Sequence, residues 1–309
     1  MKRAAFVCGG LLAGTLPALA QTNPVNVRIG ATATDASGVA YYGIETGIFL
    51  KNGISAQTST LSNGVTIILA VLAGDLDVGL ANPVQVAAAI AKGIPLQMLA
   101  PASLYSLKDA DPNLMVAKDG PVKAPKDLIG ATIAVSSLGD FNQLSLLGWL
   151  DANKIPRESV KYLELKFGEM GVALQRGTVQ AAILTEPAKS DAIRAGQARV
   201  LADTYIAIAP EFATIVWFTT KGWIQKNPDA AKRFVGGIYA TAKWANGHTK
   251  ESGDMLVRAA KMDPDVVTKM LRRIYATTND RKYSEATLAL AARYGMLQRP
   301  VSYEEYSAF

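Results

Sequence analysis

One segment of this 309-residue chain occurs twice, as residues 70–93 and again as residues 173–196. Glycines stand at matching positions in the two copies, Gly74 with Gly177 and Gly93 with Gly196. Each copy predicts the end of a helix, a short apolar strand, a polar loop and another helix. A chain built from two such units is expected to form two similar α/β lobes with a cleft between them.

Strands and helices are predicted to alternate around both copies. In the first half the predicted strands are residues 25–30, 54–60, 77–81 and 96–100, and the predicted helices are residues 39–50, 65–73 and 83–92. In the second half we expect strands at 131–135 and 160–165, a helix at 140–150, a last strand at 212–220 and then only helices, at 227–247, 250–261, 263–275 and 284–294. This alternation predicts mostly parallel sheets with right-handed crossovers.

The order of elements also predicts how the chain is divided. We expect it to cross into the second lobe near residues 117–122 and to return near residues 205–211. The predicted divisions are a signal peptide at 1–20, the first part of lobe 1 at 21–118, lobe 2 at 119–208, and a return strand with C-terminal helices packed on lobe 1 at 209–309.

The first twenty residues have the three parts of an export signal. A basic start is followed by apolar residues 4–15 and by the small-x-small site Ala18-Leu19-Ala20. We expect cleavage after Ala20 and a periplasmic mature protein, because the apolar stretch is too short to span a membrane. The one cysteine, Cys8, lies in this segment, so the mature chain has no thiol for a disulfide, an iron–sulfur cluster or a thiolate zinc site.

Half of the residues are apolar and 19% are charged, which predicts a folded globular protein. The formal net charge is +6, but the basic residues are scattered along the chain. Scattered basic residues are typical of a solvated surface and disfavour nucleic-acid binding. We expect a monomer whose charge is compatible with small anionic ligands.

Polar and small residues follow the predicted strands in both halves, where open α/β sheets bind their ligands. The candidate ligand-binding residues are Thr34, Asp35, Ser37, Ser62, Asn63, Gly64 and Asn82 in the first half, and Ser136, Ser137, Leu138, Gly139, Glu186 and Trp217 in the second. Helix starts beside these loops offer free N–H groups that favour a carboxylate, sulfonate or phosphate. The loops at 62–64 and 136–139 form the strongest anion-binding pair.

Each candidate also has an ordinary structural interpretation. Ser, Thr, Asn and Asp residues before helices commonly cap them. Asp35 and Glu186 could hold an ammonium or amidine group of a ligand, or could be capping or lobe-closing residues. Trp217, like Tyr41 or Tyr42, could pack on an organic ligand or belong to the core.

The residues required by common catalytic sites are scarce. His248 is the one histidine and lies in a Gly-His-Thr context expected at the surface, so a serine–histidine triad or a histidine-rich metal site is not expected. Asp75 and Asp77 lack a third partner at metal-ligand spacing, and the sequence has no Walker loop or nucleophile elbow. We expect no enzymatic activity, no cofactor and no metal.

Four short motifs carry a family resemblance. They are Gly47-Ile48-Phe49 with Asn52-Gly53-Ile54, the run from Leu72 to Gly79, Asp127-Leu128-Ile129-Gly130 before a strand, and Thr185-Glu186-Pro187. With them the chain resembles the substrate-binding proteins of ABC importers for aliphatic sulfonates, taurine and nitrate, a family that includes binders of thiamine pyrimidine precursors.

The resemblance implies a two-lobed, type II periplasmic binding fold, each lobe a mostly parallel sheet flanked by helices, with the ligand cleft between the lobes. It implies a protein that captures a small organic anion or zwitterion, such as a taurine-like sulfonate or a carboxylate, and delivers it to an ABC permease. The candidate loops contain no arginine, which disfavours a small inorganic anion such as nitrate.

Three alternatives stay open at this point. The first is the same fold with a thiamine-pyrimidine-type or aromatic carboxylate ligand. The second is a sensor partner instead of an importer component. The third is a pyrimidine-making enzyme of related fold, which would require a cysteine-rich motif that is missing here.

Overall fold

The computed structural model describes residues 23–107 and 111–309, so the predicted signal peptide at 1–20 lies outside the described residues. The strands are β1 Val25–Ala31, β2 Ile54–Thr60, β3 Val78–Ala81, β4 Leu96–Pro101, β5 Ser103–Ser106, β6 Asn113–Ala117, β7 Thr132–Val135, β8 Lys161–Glu164, β9 Ala181–Leu184, β10 Ala198–Ala202, β11 Glu211–Ala213, β12 Val216–Thr220 and β13 Ile274–Tyr275. The α-helices are α1 Val39–Glu45, α2 Ile48–Lys51, α3 Gly64–Ala73, α4 Pro83–Ala91, α5 Phe141–Ala152, α6 Phe167–Gln175, α7 Ala188–Arg194, α8 Lys221–Lys226, α9 Pro228–Gly247, α10 Thr249–Ala259, α11 Pro264–Lys269, α12 Lys282–Arg293 and α13 Tyr303–Tyr306. Short 3-10 helices lie at Asp35–Ser37, Pro125–Leu128, Arg157–Ser159 and Tyr205–Ala207.

Two five-stranded sheets form the frame of the molecule. The first has the strand order β2-β1-β3-β12-β4 and the second has the order β10-β6-β9-β7-β8, while β11, β5 and β13 make a smaller third sheet. In the first sheet β1 pairs in parallel with β2 and β3, and in the second β7 pairs in parallel with β8 and β9. We call the first sheet with its helices lobe 1 and the second lobe 2. The predicted two-lobed α/β fold is confirmed.

The sequence repeat is also a repeat in three dimensions. Gly74 and Gly177 both have left-handed backbone, with φ of +79° and +71°, which glycine adopts without the strain that a side chain would add. After each glycine the chain enters a strand, β3 or β9, which pairs with the first strand of its half, β1 or β7. The repeat therefore brings the loops after β3 and β9 to equivalent ends of their sheets.

The chain enters lobe 2 earlier than predicted. Strand β6 already lies between β9 and β10 in the second sheet, so the predicted crossing at residues 117–122 is too late. The apolar residues of β6 are almost fully buried: Leu114, Met115 and Val116 are at most 1% exposed. This short run is therefore a core strand of lobe 2. The chain leaves lobe 2 after β10 and completes lobe 1 with β12.

Three predicted elements are divided in the structure. Gly47, with φ of +68°, separates the predicted helix at 39–50 into α1 and α2. The predicted strand at 212–220 consists of β11 and β12, which pair in different sheets. The predicted helix at 263–275 ends at Lys269, and the expectation that only helices follow β12 is wrong because β13 joins the third sheet. Among the described residues, no helix is long and apolar enough to cross a membrane.

Candidate ligand-binding site

A cavity of about 460 Å³ lies where the loops of the two lobes meet. Its lobe 1 residues are Thr32, Ala33, Thr34, Ala36, Leu61, Ser62, Asn63, Gly64, Leu80, Ala81, Asn82 and Gln85. Its lobe 2 residues are Ser136, Ser137, Asp140, Phe141, Asn142, Leu165, Lys166, Phe167 and Thr185, and the segments between the lobes add Pro112, Tyr205, Thr214, Ile215 and Arg273. The loops after β1, β2, β3, β7, β8 and β9 all contribute, as expected for a ligand site at the carboxyl ends of parallel strands.

The lobe 1 side of the cavity is built from two asparagine caps. Asn63 Oδ1 accepts a hydrogen bond from the Thr66 N–H at 3.0 Å and so caps α3. Asn82 Oδ1 accepts one from the Gln85 N–H at 3.1 Å and caps α4. Because the two oxygens are used by the helices, each side chain keeps its Nδ2 amide for another partner.

A glycine allows close packing beside these caps. A Cβ atom on Gly64 would lie 2.4 Å from Gln85 Oε1 and 3.1 Å from Ala81 Cβ. Gly64 is also the first residue of α3, where backbone N–H groups have no partner within the helix. Glycine at this position therefore keeps the positive end of α3 open to the cavity.

The lobe 2 side of the cavity is a connected polar network. Asp140 caps α5 by accepting the Gln143 N–H at 2.9 Å, and its other oxygen accepts the Ser136 hydroxyl at 2.5 Å. Asn142 donates to Ser136 Oγ and to Asp140, and it accepts the Tyr205 hydroxyl at 2.7 Å. These contacts fix the orientation of each polar group in the network.

Burial changes the protonation behaviour of this network. Asp140 is 2% exposed, and desolvation raises the pKa of its carboxyl from 3.8 to about 6 despite the hydrogen bonds from Ser136 and Gln143. Burial, followed by the nearby negative charge of Asp140, raises the pKa of Tyr205 well above its ordinary value. Tyr205 is therefore a neutral hydrogen-bond donor at physiological pH.

Arg273 reaches the cavity from the segment that follows α11. Its guanidinium lies 2.8 Å from Asp111 Oδ2 and donates to Thr185 Oγ1 at 3.1 Å. Lys189 Nζ lies 2.8 Å from the other oxygen of Asp111. Burial acts to raise the pKa of Asp111, but the charges of Arg273 and Lys189 outweigh it and hold that pKa below its ordinary value.

Seven predicted residues line the cavity: Thr34, Ser62, Asn63, Gly64, Asn82, Ser136 and Ser137. Six others lie outside its lining. Leu138 and Gly139 are exposed, whereas Ser37 is buried with its hydroxyl 2.9 Å from Thr32 Oγ1. Asp35, Glu186 and Trp217 are also absent from the lining.

Asp35 and Glu186 are already paired with cations of this chain. Asp35 forms two hydrogen bonds of 3.0 Å with Arg272, and it also accepts from the Tyr275 hydroxyl at 2.8 Å. Glu186 lies 3.2 Å from Lys189, and burial raises the pKa of its carboxyl despite that cation. Neither carboxylate faces the cavity, so the prediction that they hold a ligand ammonium is not retained.

Trp217 is a core residue. It is fully buried in lobe 1, where its ring packs edge-on against Phe234 with centroids 5.3 Å apart. The alternative interpretation of this residue as core is therefore the one that the structure supports, and Tyr41 and Tyr42 are buried in the same cluster.

The polar residues of the cavity that sequence reasoning missed include Asp140, Asn142, Tyr205 and Arg273. Asp140 and Asn142 had a local signal, because they begin the helix that follows a candidate loop. Tyr205 and Arg273 had none, since they come from segments remote from the strand ends. In the described part of the chain, no group of three or more His, Cys, Asp or Glu side chains is placed to hold a metal ion.

The chain is similar to known proteins in both sequence and fold. The taurine-binding periplasmic protein of Escherichia coli is 27% identical over 215 residues, which are 69% of this chain and 64% of that protein's length. The periplasmic aliphatic sulphonate-binding protein SsuA of Escherichia coli has a similar fold, with a TM-score of 0.76 at 17% identity over 92% of this chain and 98% of that one.

The same fold also occurs in an enzyme. The desulfurization enzyme DSZB has a TM-score of 0.66 at 16% identity, over 92% of this chain and 96% of that chain. Likeness of this degree establishes the fold and leaves the activity to the site. The model of the NMT1/THI5-like family matches residues 35–252, which is more than half of the sequence, and the chain belongs to that family.

Proposed function

We propose that the mature chain is a periplasmic solute-binding protein that captures a small organic anion or zwitterion and delivers it to an ABC permease. The observation that carries the proposal is the convergence of six strand-end loops, three from each lobe, on one cavity. Membership of the NMT1/THI5-like family and similarity to a taurine-binding periplasmic protein support it.

The cavity supports an organic ligand. Its volume of about 460 Å³ is in the range typical of small-molecule sites and exceeds what a nitrate ion fills. Although the candidate loops contain no arginine, Arg273 lines the cavity, so a lack of arginine no longer disfavours nitrate. Size is the argument that now favours a carboxylate or sulfonate with an organic body.

We propose binding without catalysis. Within the described residues the cavity lining has no histidine or cysteine, and Asp140 is engaged as a helix cap. The positive ends of α3 and α4, together with the asparagine amides, are suited to hold an anion reversibly. A bound compound should therefore be recovered unchanged after incubation with the protein.

An aromatic ligand is a second candidate. Phe141, Phe167 and Tyr205 all line the cavity and could stack on a ring. This observation keeps an aromatic carboxylate or a pyrimidine compound beside the aliphatic sulfonates.

Thermal unfolding of the chain from Gln21 onward tests the proposal. We expect at least one compound among taurine, alkanesulfonates, aromatic carboxylates, nitrate and pyrimidines to raise the melting temperature, because a ligand that binds only the folded state stabilises it. Ser62→Trp fills the cavity mouth and should abolish that rise. Ser59→Trp, at an exposed position on β2 outside the lining, should retain it. A panel without any stabilising compound would contradict the proposed ligand class.

A further inference from the structure

The two sides of the cavity differ in which hydrogen-bonding groups remain free to bind a ligand. On the lobe 1 side, Asn63 and Asn82 use their oxygens to cap helices, so that their remaining polar groups are N–H donors. No partner for either Nδ2 amide is found among residues 23–107 and 111–309. We call Asn63, Asn82 and the start of α3 at Gly64 the donor side.

On the lobe 2 side, four connected side chains have already used their hydrogen-bond donors on one another. The Tyr205 hydroxyl donates to Asn142, both Nδ2 hydrogens of Asn142 go to Ser136 and Asp140, and the Ser136 hydroxyl donates to Asp140. What remains on these four side chains is acceptor capacity: oxygen lone pairs and the carboxylate of Asp140. We call Ser136, Asp140, Asn142 and Tyr205 the acceptor side.

The charges of the cavity follow the same division. Arg273 is balanced by Asp111 at 2.8 Å, and Lys166 is exposed to solvent. In the part of the chain that the structure describes, Asp140 forms no ion pair. A buried acid without a cation stabilises a ligand that supplies one, or at least a hydrogen-bond donor.

We infer that the cavity selects small organic acids that carry a second, hydrogen-bond-donating group, an ammonium or a hydroxyl. The acid group faces the donor side of lobe 1, and the second group faces the acceptor side of lobe 2, with Asp140 as the residue that determines specificity. This inference rests on the proposed function and narrows its substrate class. Acids with a plain alkyl body, such as simple alkanesulfonates, should bind more weakly, because they would cover the Asp140 carboxylate without supplying a cation or a hydrogen-bond donor.

Calorimetric titration with shape-matched acids tests this selectivity. The first set is taurine, isethionate and propanesulfonate, which place an amino, hydroxyl or methyl group at the same position. The second set is para-substituted benzoates with aminomethyl, hydroxymethyl or ethyl groups. In whichever set fits the cavity, we expect the donor-bearing acids to bind about tenfold more tightly than the alkyl acid, or better, because a site built for a hydrogen bond rejects the analogue that lacks it.

Two variants assign the preference to the two sides. Asp140→Asn keeps a side-chain cap but removes the charge, and it should lower the affinity for the ammonium acid about tenfold while changing the alkyl acid little. Asn63→Asp keeps the cap of α3 but replaces a donor by a carboxylate, and it should weaken all three acids. The control is Asp263→Asn, since Asp263 caps α11 by accepting the Asp265 N–H at 2.8 Å and lies outside the cavity.

The outcomes separate the inference from the proposed function. If acids bind but the alkyl member is as tight as the others in wild-type protein, the donor requirement is wrong and the solute-binding role stands. If the donor-bearing acids are preferred but Asp140→Asn leaves their order unchanged, the assignment to Asp140 is wrong. If none of these acids or the earlier panel binds, both proposals fail. The wild-type series decides the first point even if a variant does not fold.

Discussion

The two lobes share one backbone plan but differ in the residues that begin their helices. In lobe 1, α3 and α4 follow β2 and β3 and carry side-chain caps from Asn63 and Asn82. The helices at the equivalent positions of lobe 2, α6 and α7, have no side-chain cap. There the first turn of α7 is instead held by Lys189, which pairs with Asp111 and Glu186.

The comparison shows that a repeat can preserve the positions of its loops while their chemistry diverges. The glycines and the apolar strands determine where the loops lie, and they do so equally in both halves. The residues at the helix starts determine the chemistry of each side, and these have diverged. Lobe 1 contributes neutral donors to the cavity, whereas lobe 2 contributes the uncompensated carboxylate of Asp140 and the charged cluster behind Thr185.

The charged cluster of lobe 2 should be the most sensitive to mutation. Asp111→Ala leaves Arg273 and Lys189 without their shared carboxylate in a buried site, and it should lower the free energy of unfolding by about 3–5 kcal/mol. Asn82→Ala in lobe 1 removes one neutral cap and should cost about 1 kcal/mol. Urea unfolding monitored by circular dichroism measures both.

The control for the charge itself is an exposed pair. Lys250 and Asp254 lie 3.3 Å apart with side chains 87% and 57% exposed, so Asp254→Ala should change stability by less than about 1 kcal/mol. If Asp111→Ala lowered the free energy of unfolding no more than Asp254→Ala, the buried cluster would not stabilise lobe 2. The proposed difference in stability between the two lobes would then be wrong.

Sequence alone could predict those parts of the site whose contacting residues are close together in the sequence. The caps Asn63 and Asn82 were predictable because strand, loop and helix start are adjacent in sequence. Asp35 was misassigned because its partner Arg272 lies 237 residues away, and the local pattern contains no trace of it. Glu186 had a visible partner, since Lys189 is only three residues further on.

The arginine of the cavity illustrates the same limit. Arg273 contacts the backbone oxygen of Asp111 across 162 residues, and the apolar spacing of residues 263–275 predicted a helix through it. Tertiary pairing of β13 with β5 overrides that local preference, and α11 ends at Lys269, so that Arg273 lies in the irregular segment directly before β13. Periodicity could not reveal a strand of two residues.

Two buried carboxylates near the cavity should respond to pH with opposite sign. Burial raises the pKa of Asp140 to about 6, so its contribution to stability is full below about pH 4 and is lost as the pH rises through about 6, on the order of 3 kcal/mol. The pKa of Asp111 is held low by Arg273 and Lys189, so its contribution is full above the ordinary carboxyl range and is lost on acidification.

Unfolding of wild type, Asp140→Asn and Asp111→Asn between about pH 2 and pH 8 checks these signs, because the Asp111 contribution is lost only below about pH 4. The stability of wild type relative to Asp140→Asn should fall as the pH rises, and relative to Asp111→Asn it should rise. The groups that act on this region, Tyr205, Arg273 and Asp203, are present in all three proteins and largely cancel in the differences. Parallel curves for the two variants would show that the two carboxylates share one environment.

The strands that follow the paired glycines differ at one matched position. Gly79 of β3 corresponds to Ala182 of β9, and a Cβ on Gly79 would lie 2.4 Å from Ile67 Cγ2 and 2.8 Å from Phe218 Cζ. Gly79→Ala should therefore destabilise lobe 1 by about 1–3 kcal/mol through overpacking. The reverse change, Ala182→Gly, only loosens a buried strand of lobe 2 and should cost about 1 kcal/mol or less. Equal losses would show that the two cores pack alike at this position.

The paired glycines themselves should be the one place where the lobes respond alike. Gly74 and Gly177 have φ of +79° and +71°, and a Cβ on either would meet no atom within 4 Å. An alanine at either position is strained only by its backbone conformation, which costs about 1–2 kcal/mol. We expect Gly74→Ala and Gly177→Ala to lower the urea midpoint by the same small amount. The local strain of the two alanines is matched, because the two glycines have similar φ values and equal space around them. A clear difference between the two urea midpoints would therefore mean that tertiary contacts, and not backbone conformation, require glycine at one of these positions.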